Sequence, residues 1–250
     1  MHQSKKNEFL IVIPARYNSS RFPGKPLSKI GTKSMIQMVW EACVKASNRN
    51  SVIIATDDKR IEDHCKKNDM NYILTSKHCL TGTDRVIEVA RKIKCEFYVN
   101  VQGDEPLISK HDIKKAISFY KKNNSNVVNC MTEIKDEKDF RSINVPKVVV
   151  GKDNNLMYMS RSSIPSNKKN DFTKSYKQVC IYCFPYKILN KKDIYNKKTD
   201  IEKIEDIEIL RFIENNINVK MLKLSSSTVA VDTPSDLNKV RKIVRESKEI

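Results

Sequence analysis

Glycine is scarce in this chain, with five residues in 250. None falls in a G-x-x-x-x-G-K-[ST] or G-x-G-x-x-G spacing, so neither a P-loop nor a dinucleotide fingerprint supplies a phosphate cradle. Long apolar runs are missing too. Met1–Glu8 is polar, and the apolar run after it is far too short for a signal peptide or a membrane helix. The expected location is the cytoplasm, with no membrane partner. No internal repeat or coiled coil is evident. The seven cysteines are an odd number scattered along apolar periodic segments, which favours reduced core thiols over a disulfide frame. Cys180 and Cys183 form a C-x-x-C inside a strand-like run, VCIYCF, where three-residue spacing puts them on opposite faces. That suits neither a zinc knuckle nor a redox turn.

Charge is abundant. Lys and Arg number 47 against 30 Asp and Glu, for a net charge of +17, and 31% of residues are charged. The lysines are spread through runs such as KKNNSN and NKKDIYNKK with little aromatic interleaving. A diffuse positive field favours any anionic substrate, a nucleotide included, and speeds encounter. It permits a nucleic-acid partner without arguing for one, and none is expected. Periodic apolar runs continue from end to end, which marks a globular chain long enough for one large domain or two small ones.

The chain reads as alternating strands and helices. An apolar β run, Phe9–Ile13, is expected to break at Pro14. Helices are expected over Ser34–Ala46, Lys59–Asn68, Thr83–Lys92 and Lys110 to about Lys122, between strands at Val52–Ala55, Tyr72–Leu74, Phe97–Val101 and Val127–Thr132. This alternation predicts an α/β, Rossmann-like, mostly parallel sheet flanked by helices. After about Asp136 the rhythm changes to strands at 147–150, 157–160 and 179–184, then a helix over about Ile201–Asn216. A smaller mixed-β insertion is expected over 136–216, on a body made of 1–135 and 217–250.

Chemistry concentrates in a few stretches. Leu10–Leu27 (LIVIPARYNSSRFPGKPL) runs from a buried strand into a loop with three cations, Arg16, Arg21 and Lys25, and no acid. A doubly wound sheet presents phosphate sites at such carboxyl edges, although a solvated basic loop has the same composition. NVQGDEP (Asn100–Pro106) leaves the next buried strand, and Gly103 there permits a sharp turn or close approach to a ligand. Asp104 and Glu105 are oxygen donors of the kind Mg²⁺ takes alongside phosphate oxygens, or else acids capping a turn. LTGTDR (Leu80–Arg85) can approach a base or ribose, and Thr83 or Asp84 can equally cap a helix. In AVDTPSDL (Ala230–Leu237), Pro234 suits a first helical turn with Thr233 or Asp232 as its cap. Asp104 and Asp232 can share one metal if their strands lie side by side.

Taken together, IPARYNSSRFPGKPL, ATDD, LTGTDR, NVQGDEPLI, YMSRSSIP, IEKIEDIEILR and VDTPSDLNKVR resemble, in order and spacing, the 3-deoxy-manno-octulosonate (Kdo) cytidylyltransferases, from residue 9 to about residue 241. The resemblance implies a Mg²⁺-dependent transfer of CMP from CTP to an acidic 3-deoxy sugar, releasing pyrophosphate, for lipopolysaccharide or envelope-glycan synthesis. It implies that Arg16, Arg21 and Lys25 bind the triphosphate and that Pro14, Ala15, Thr81 and Gln102 contact the nucleotide. Asp104 and Asp232 match the metal ligands and, with Arg16 and Lys25, make up the catalytic set. Arg161, Gln178, Tyr182 and Glu208 fall on the sugar side, and a homodimer built largely on the insertion is implied. The sugar side also departs from the family pattern. Ser166 stands where Trp is common, Gln178 where His is common, Ile209 where Gln is common, and Cys79 where the family has His. A CMP-sialic-type synthetase and a non-catalytic nucleotide- or nucleic-acid-binding module are the alternatives.

Overall fold

In the computed structural model, residues 8–18, 22–124, 126–195, 197–225 and 229–247 are described. The run FLIVIPA forms β1 (Phe9–Ala15), buried from Leu10 onward. A short ribbon, β2 (Lys29–Ile30) and β3 (Lys33–Ser34), leads into α1 (Met35–Ala46). Ser34 caps this helix, and Met35, Ile36, Val39, Trp40 and Cys43 bury its apolar stripe. Then β4 (Val52–Thr56), α2 (Lys59–Lys67), β5 (Tyr72–Leu74), α3 (Gly82–Lys92), β6 (Phe97–Val101), α4 (Lys110–Lys122) and β7 (Val127–Glu133) alternate as expected. Two details differ. β1 continues through Pro14 to Ala15, because its pairing with β6 stops at Val12 and only β4 pairs beyond it. Proline is tolerated where a strand is paired on one side. The cap of α3 is Thr81 rather than Thr83 or Asp84, with Asp84 closing a capping box at the third helical position.

The second half comprises α5 (Glu137–Arg141), β8 (Lys147–Val150), β9 (Leu156–Ser160), β10 (Tyr176–Pro185), α6 (Tyr186–Leu189), α7 (Asp200–Glu205), α8 (Leu210–Glu214), β11 (Val219–Leu224) and α9 (Pro234–Glu246). The single helix expected over 201–216 is two helices, because Asp206 adopts a left-handed conformation with φ 49° and ends α7. Apolar spacing carries across the break because Ile207 and Leu210 bury into the same core. Periodicity reports which residues are buried, not whether backbone hydrogen bonding is continuous.

The large sheet has the order β11-β7-β10-β6-β1-β4-β5, with β8 and β9 attached off that path. The pairs β1–β4, β1–β6, β4–β5 and β7–β11 are parallel, and β10 is antiparallel to both neighbours. Helices cover both faces, so the expected α/β class is what is found. The boundaries expected at 135/136 and 216/217 do not follow the sheet, however. β10, inside 136–216, is an interior strand of the main sheet, and only β8 and β9 stand aside. Its sequence shows why: Val179, Ile181 and Cys183 bury into one core while Tyr182 and Phe184 bury into the other, the pattern of a strand covered on both faces. The first core is completed by α1 and α4, the second by α3, α6 and α8. A third cluster of Ile30, Met35, Val231, Leu237 and Val240 seats α9. Among the described residues, no helix is long and apolar enough to cross a membrane.

Candidate active site

The carboxyl ends of β1 and β6 open onto a cleft of about 370 Å³. One wall is Pro14, Ala15, Arg16 and Lys25 from the basic loop. That loop turns at Gly24, whose φ is 72° and whose N–H donates to the Tyr17 carbonyl at 2.9 Å. A Cβ at Gly24 would lie 3.1 Å from the Tyr17 ring, so a side chain there is disfavoured by conformation and by space. Pro26 follows in a short 3-10 turn that presents Lys25 inward.

Lys25 is the junction of the site. Its Nζ lies 2.9 Å from Asp104 Oδ2 and 3.5 Å from Asp232 Oδ1, and it donates to the Val231 carbonyl at 2.8 Å. The Val231 N–H donates to the Asp104 carbonyl at 2.9 Å, and the Val231 side chain is fully buried in the third core. Two acids far apart in sequence thereby converge on one point. This arrangement fits Mg²⁺, which takes one or two carboxylates and completes its shell with phosphate oxygens and water. Among the described residues no group of three or more His, Cys, Asp or Glu gathers as a closed metal cage.

The Gln102–Glu105 turn is held against β10. Gln102 N–H donates to the Cys180 carbonyl at 3.2 Å, and Cys180 N–H donates to Glu105 Oε1 at 3.1 Å. These bonds coincide with an irregularity in the β10–β7 register between Val179 and Tyr182, the kind of bulge that re-aims a side chain beside a site. A Cβ at Gly103 would come within 3.0 Å of the Pro14 carbonyl, so β6 and β1 approach closely only because that residue is glycine. Gly82 plays the same part for Gln102, whose Nε2 would lie 2.8 Å from an added Cβ.

The opposite wall comes from Asn144–Pro146, Arg161, Lys177, Gln178, Cys180, Tyr182 and the Asp206–Glu208 turn. The described residues assigned to the site by the resemblance line this cleft: Pro14, Ala15, Arg16, Lys25, Thr81, Gln102, Asp104, Arg161, Gln178, Tyr182, Glu208 and Asp232. Of the four departures, Cys79 and Gln178 line it too, whereas Ile209 is fully buried in the second core and Ser166 is exposed outside the cleft lining. Arg21 lies outside the described residues. Several of these side chains are already engaged. Glu208 accepts from Gly82 N–H at 3.0 Å and Thr83 N–H at 2.7 Å, so its carboxylate caps α3. Arg161 donates to the carbonyls of Glu205, Ile143 and Asp206. Gln178 Nε2 donates to Asn129 Oδ1 at 3.0 Å. Burial and the nearby Glu105 and Asp104 carboxylates push the Cys180 thiol well above its ordinary range.

Arg85 and Lys177 also line the cleft and were not singled out by sequence. Arg85 is buried, paired with Asp57 at 2.9 Å and donating to Thr75 Oγ1 at 2.7 Å. Its partner acid, Asp57 of ATDD, follows β4, and nothing local in the sequence shows that this end lies beside α3. Behind this wall, Arg211 joins Asp84 at 2.8 Å to Glu202 at 2.6 Å with no solvent exposure, and donates to Thr81 Oγ1.

Comparison with known proteins assigns the class first. Residues 10–224 match the model of the cytidylyltransferase family. Curated 3-deoxy-manno-octulosonate cytidylyltransferases are similar along nearly the whole chain. That of Geobacter metallireducens is 39% identical, covering 92% of this chain and 94% of its own. That of Protochlamydia amoebophila is 33% identical, covering 96% and 95%. The chain belongs to the 3-deoxy-manno-octulosonate cytidylyltransferase family. A solved CMP:2-keto-3-deoxy-manno-octonic acid synthetase complexed with CTP superposes with a TM-score of 0.88 at 33% identity, covering 96% of this chain and all of its own. HddC from Yersinia pseudotuberculosis, at 15% identity and a TM-score of 0.69, shares the fold.

Proposed function

We propose that this protein transfers CMP from CTP to the anomeric hydroxyl of Kdo or a close ulosonic acid. The observation that carries the reading is the convergence of Asp104 and Asp232 on Lys25, within a family fold whose solved relative was captured with CTP. The anomeric oxygen bonds to the α-phosphorus. The bond from that phosphorus to the bridging oxygen breaks, pyrophosphate leaves with the electron pair, and the hydroxyl proton passes to solvent. No covalent enzyme intermediate is needed, so the chain's own work is alignment and charge neutralisation. Arg16, exposed at the cleft, and Lys25 offset the triphosphate charge, with Arg21 as a third cation by family resemblance. Asp104 and Asp232 hold Mg²⁺, which when bound polarises the α-phosphate. Gly82 and Gln102 shape the base pocket. The acid sugar occupies the side of Arg161, Lys177 and Gln178, where the departures at Cys79 and Gln178 bear on which ulosonic acid fits.

The proposed assembly is a homodimer, supported by the exposed apolar side chains Ile143 (70%), Met157 (62%) and Ile204 (83%) within 136–216. A nucleoside triphosphate substrate makes the cytoplasm the proposed location, and the CMP-sugar product would feed an envelope glycan.

Incubation with CTP, Mg²⁺ and a panel of ulosonic acids, with pyrophosphate as the readout, tests the reaction; release with none of them refutes it. Asp104→Asn should lower turnover by about 10²-fold or more while CTP still binds. Near-normal activity would remove its assigned role.

A further inference from the structure

Lys147 opens β8 and has no solvent exposure. Among the described residues no carboxylate lies within ion-pair distance of it. Its ammonium donates to two backbone carbonyls, of Ser142 at 2.7 Å and of Arg161. Arg161 returns the connection, since its Nη1 donates to the Ile143 carbonyl at 3.0 Å. The two cations therefore close a ring that fixes both ends of the Asn144–Pro146 segment, which lines the cleft together with Arg161.

Burying a charged amine without an acid partner is unfavourable, so its retention at this position calls for a reason. Burial first, and then the charge of Arg161, push the Lys147 ammonium down to about 8, with Glu205 and Asp139 acting in the other direction. Lys177 stands directly opposite it in the β8–β10 ladder and is itself paired with Asp139. The groups facing Lys147 are thus two cations and two acids, and Arg161 and Lys177 both reach the cleft.

We propose that Lys147 is a positioning residue for the acid-sugar half of the site: by tying the Arg161 carbonyl to that of Ser142, its ammonium holds Arg161 and Asn144–Pro146 as one preorganised wall for an anionic substrate. The inference rests on the cytidylyltransferase reading. It assigns no substrate contact to Lys147 itself. The wall faces the sugar acid rather than CTP, so the effect is confined to one substrate. It also depends on the proton, because a neutral amine holds carbonyls less strongly and adds no field beneath the carboxylate.

The test is steady-state kinetics of wild type, Lys147→Met and Lys147→Arg, varying each substrate at saturating levels of the other, between about pH 7 and about pH 9.5. Thermal unfolding of each variant is followed in parallel. Lys147→Met is expected to raise the KM for the sugar acid by roughly tenfold or more, the size of one lost charge-assisted hydrogen bond, with the KM for CTP moved less than about threefold. The wild-type sugar KM should climb above about pH 8, and Lys147→Arg, which keeps its charge, should stay flat there. A folded Lys147→Met with an unchanged sugar KM, or with both KM values raised alike, overturns the proposal. If that variant does not fold, a flat wild-type sugar KM across the pH range overturns it instead. Wild-type protein that releases no pyrophosphate with any acid sugar removes the functional reading and this inference together. Wild-type turnover with an unperturbed variant removes this inference alone.

Discussion

Replacing Lys25 by methionine removes an ammonium that lies against both Asp104 and Asp232. At 2.9 Å the gross attraction to Asp104 is about 6 kcal/mol at an effective dielectric near 20. Most of that is returned as lost hydration, and a charge-assisted hydrogen bond nets about 1.5–3 kcal/mol. The side chains are 15–31% exposed, which argues for the low end of that range, roughly 1.5 kcal/mol or a tenfold change in an equilibrium constant. A cation entering between the carboxylates of the CTP-free enzyme must displace the ammonium. Lys25→Met should therefore bind Mg²⁺ alone about tenfold more tightly than wild type, as measured by calorimetric titration without nucleotide. Its turnover should move the opposite way, falling roughly 10²–10³-fold in kcat/KM because the triphosphate loses a fixed positive charge. Affinity and activity changing in opposite directions is the signature. Mg²⁺ affinity that is unchanged or weaker in Lys25→Met would refute the competition.

Other substitutions test other parts of the structure. Arg211→Met takes the Arg211 guanidinium away from the buried Asp84 and Glu202 and should destabilise the protein by about 3–5 kcal/mol in denaturant titration; a change under about 1 kcal/mol would mean the three groups are not energetically coupled. Gly82→Ala puts a methyl 2.8 Å from Gln102 Nε2, the movable end of a flexible side chain. The KM for CTP should rise severalfold while stability falls by less than about 1 kcal/mol, and an unchanged KM would place Gln102 away from the nucleotide. Lys147 keeps its proton to about 8 when folded and to its ordinary 10.5 when unfolded. Between those values the unfolded state binds more protons, so this group makes stability rise with pH, by up to about 3 kcal/mol. Lys147→Met should lose that rise, and an identical pH slope in denaturant titrations would count against a depressed Lys147.

How far the sequence discloses this structure depends on the range of the interaction concerned. The alternation through Val127 is legible because each helix and strand carries its own apolar period. The cap of α9 is readable from its local residues, Thr233 being one of the two that the sequence offers there. The place of β10 is not readable, since pairing with β6 and β7 joins segments far apart in the chain, although its two apolar faces hint at an interior strand. Which residues gather at the cleft is legible through family resemblance. What each does there is less so. Glu208 reads as a polar site residue, yet its oxygens are taken by the first amides of α3. Arg161 reads as a carboxylate partner, yet it holds three carbonyls. Hydrogen bonds between distant segments have no periodicity to betray them, and Lys147 looked like any other lysine in a lysine-rich chain.

The Val231–Asp104 hydrogen bond has a consequence for the order in which the molecule becomes competent. The sheet is complete once Leu224 has joined β7, yet Asp232 reaches Asp104 only when Val231 and α9 dock on Ile30 and Met35. A chain whose sheet is fully paired but whose last helix is undocked therefore still lacks one of its two acids at the cleft. Pairing of the sheet and assembly of the acid pair are separable, and the second needs α9.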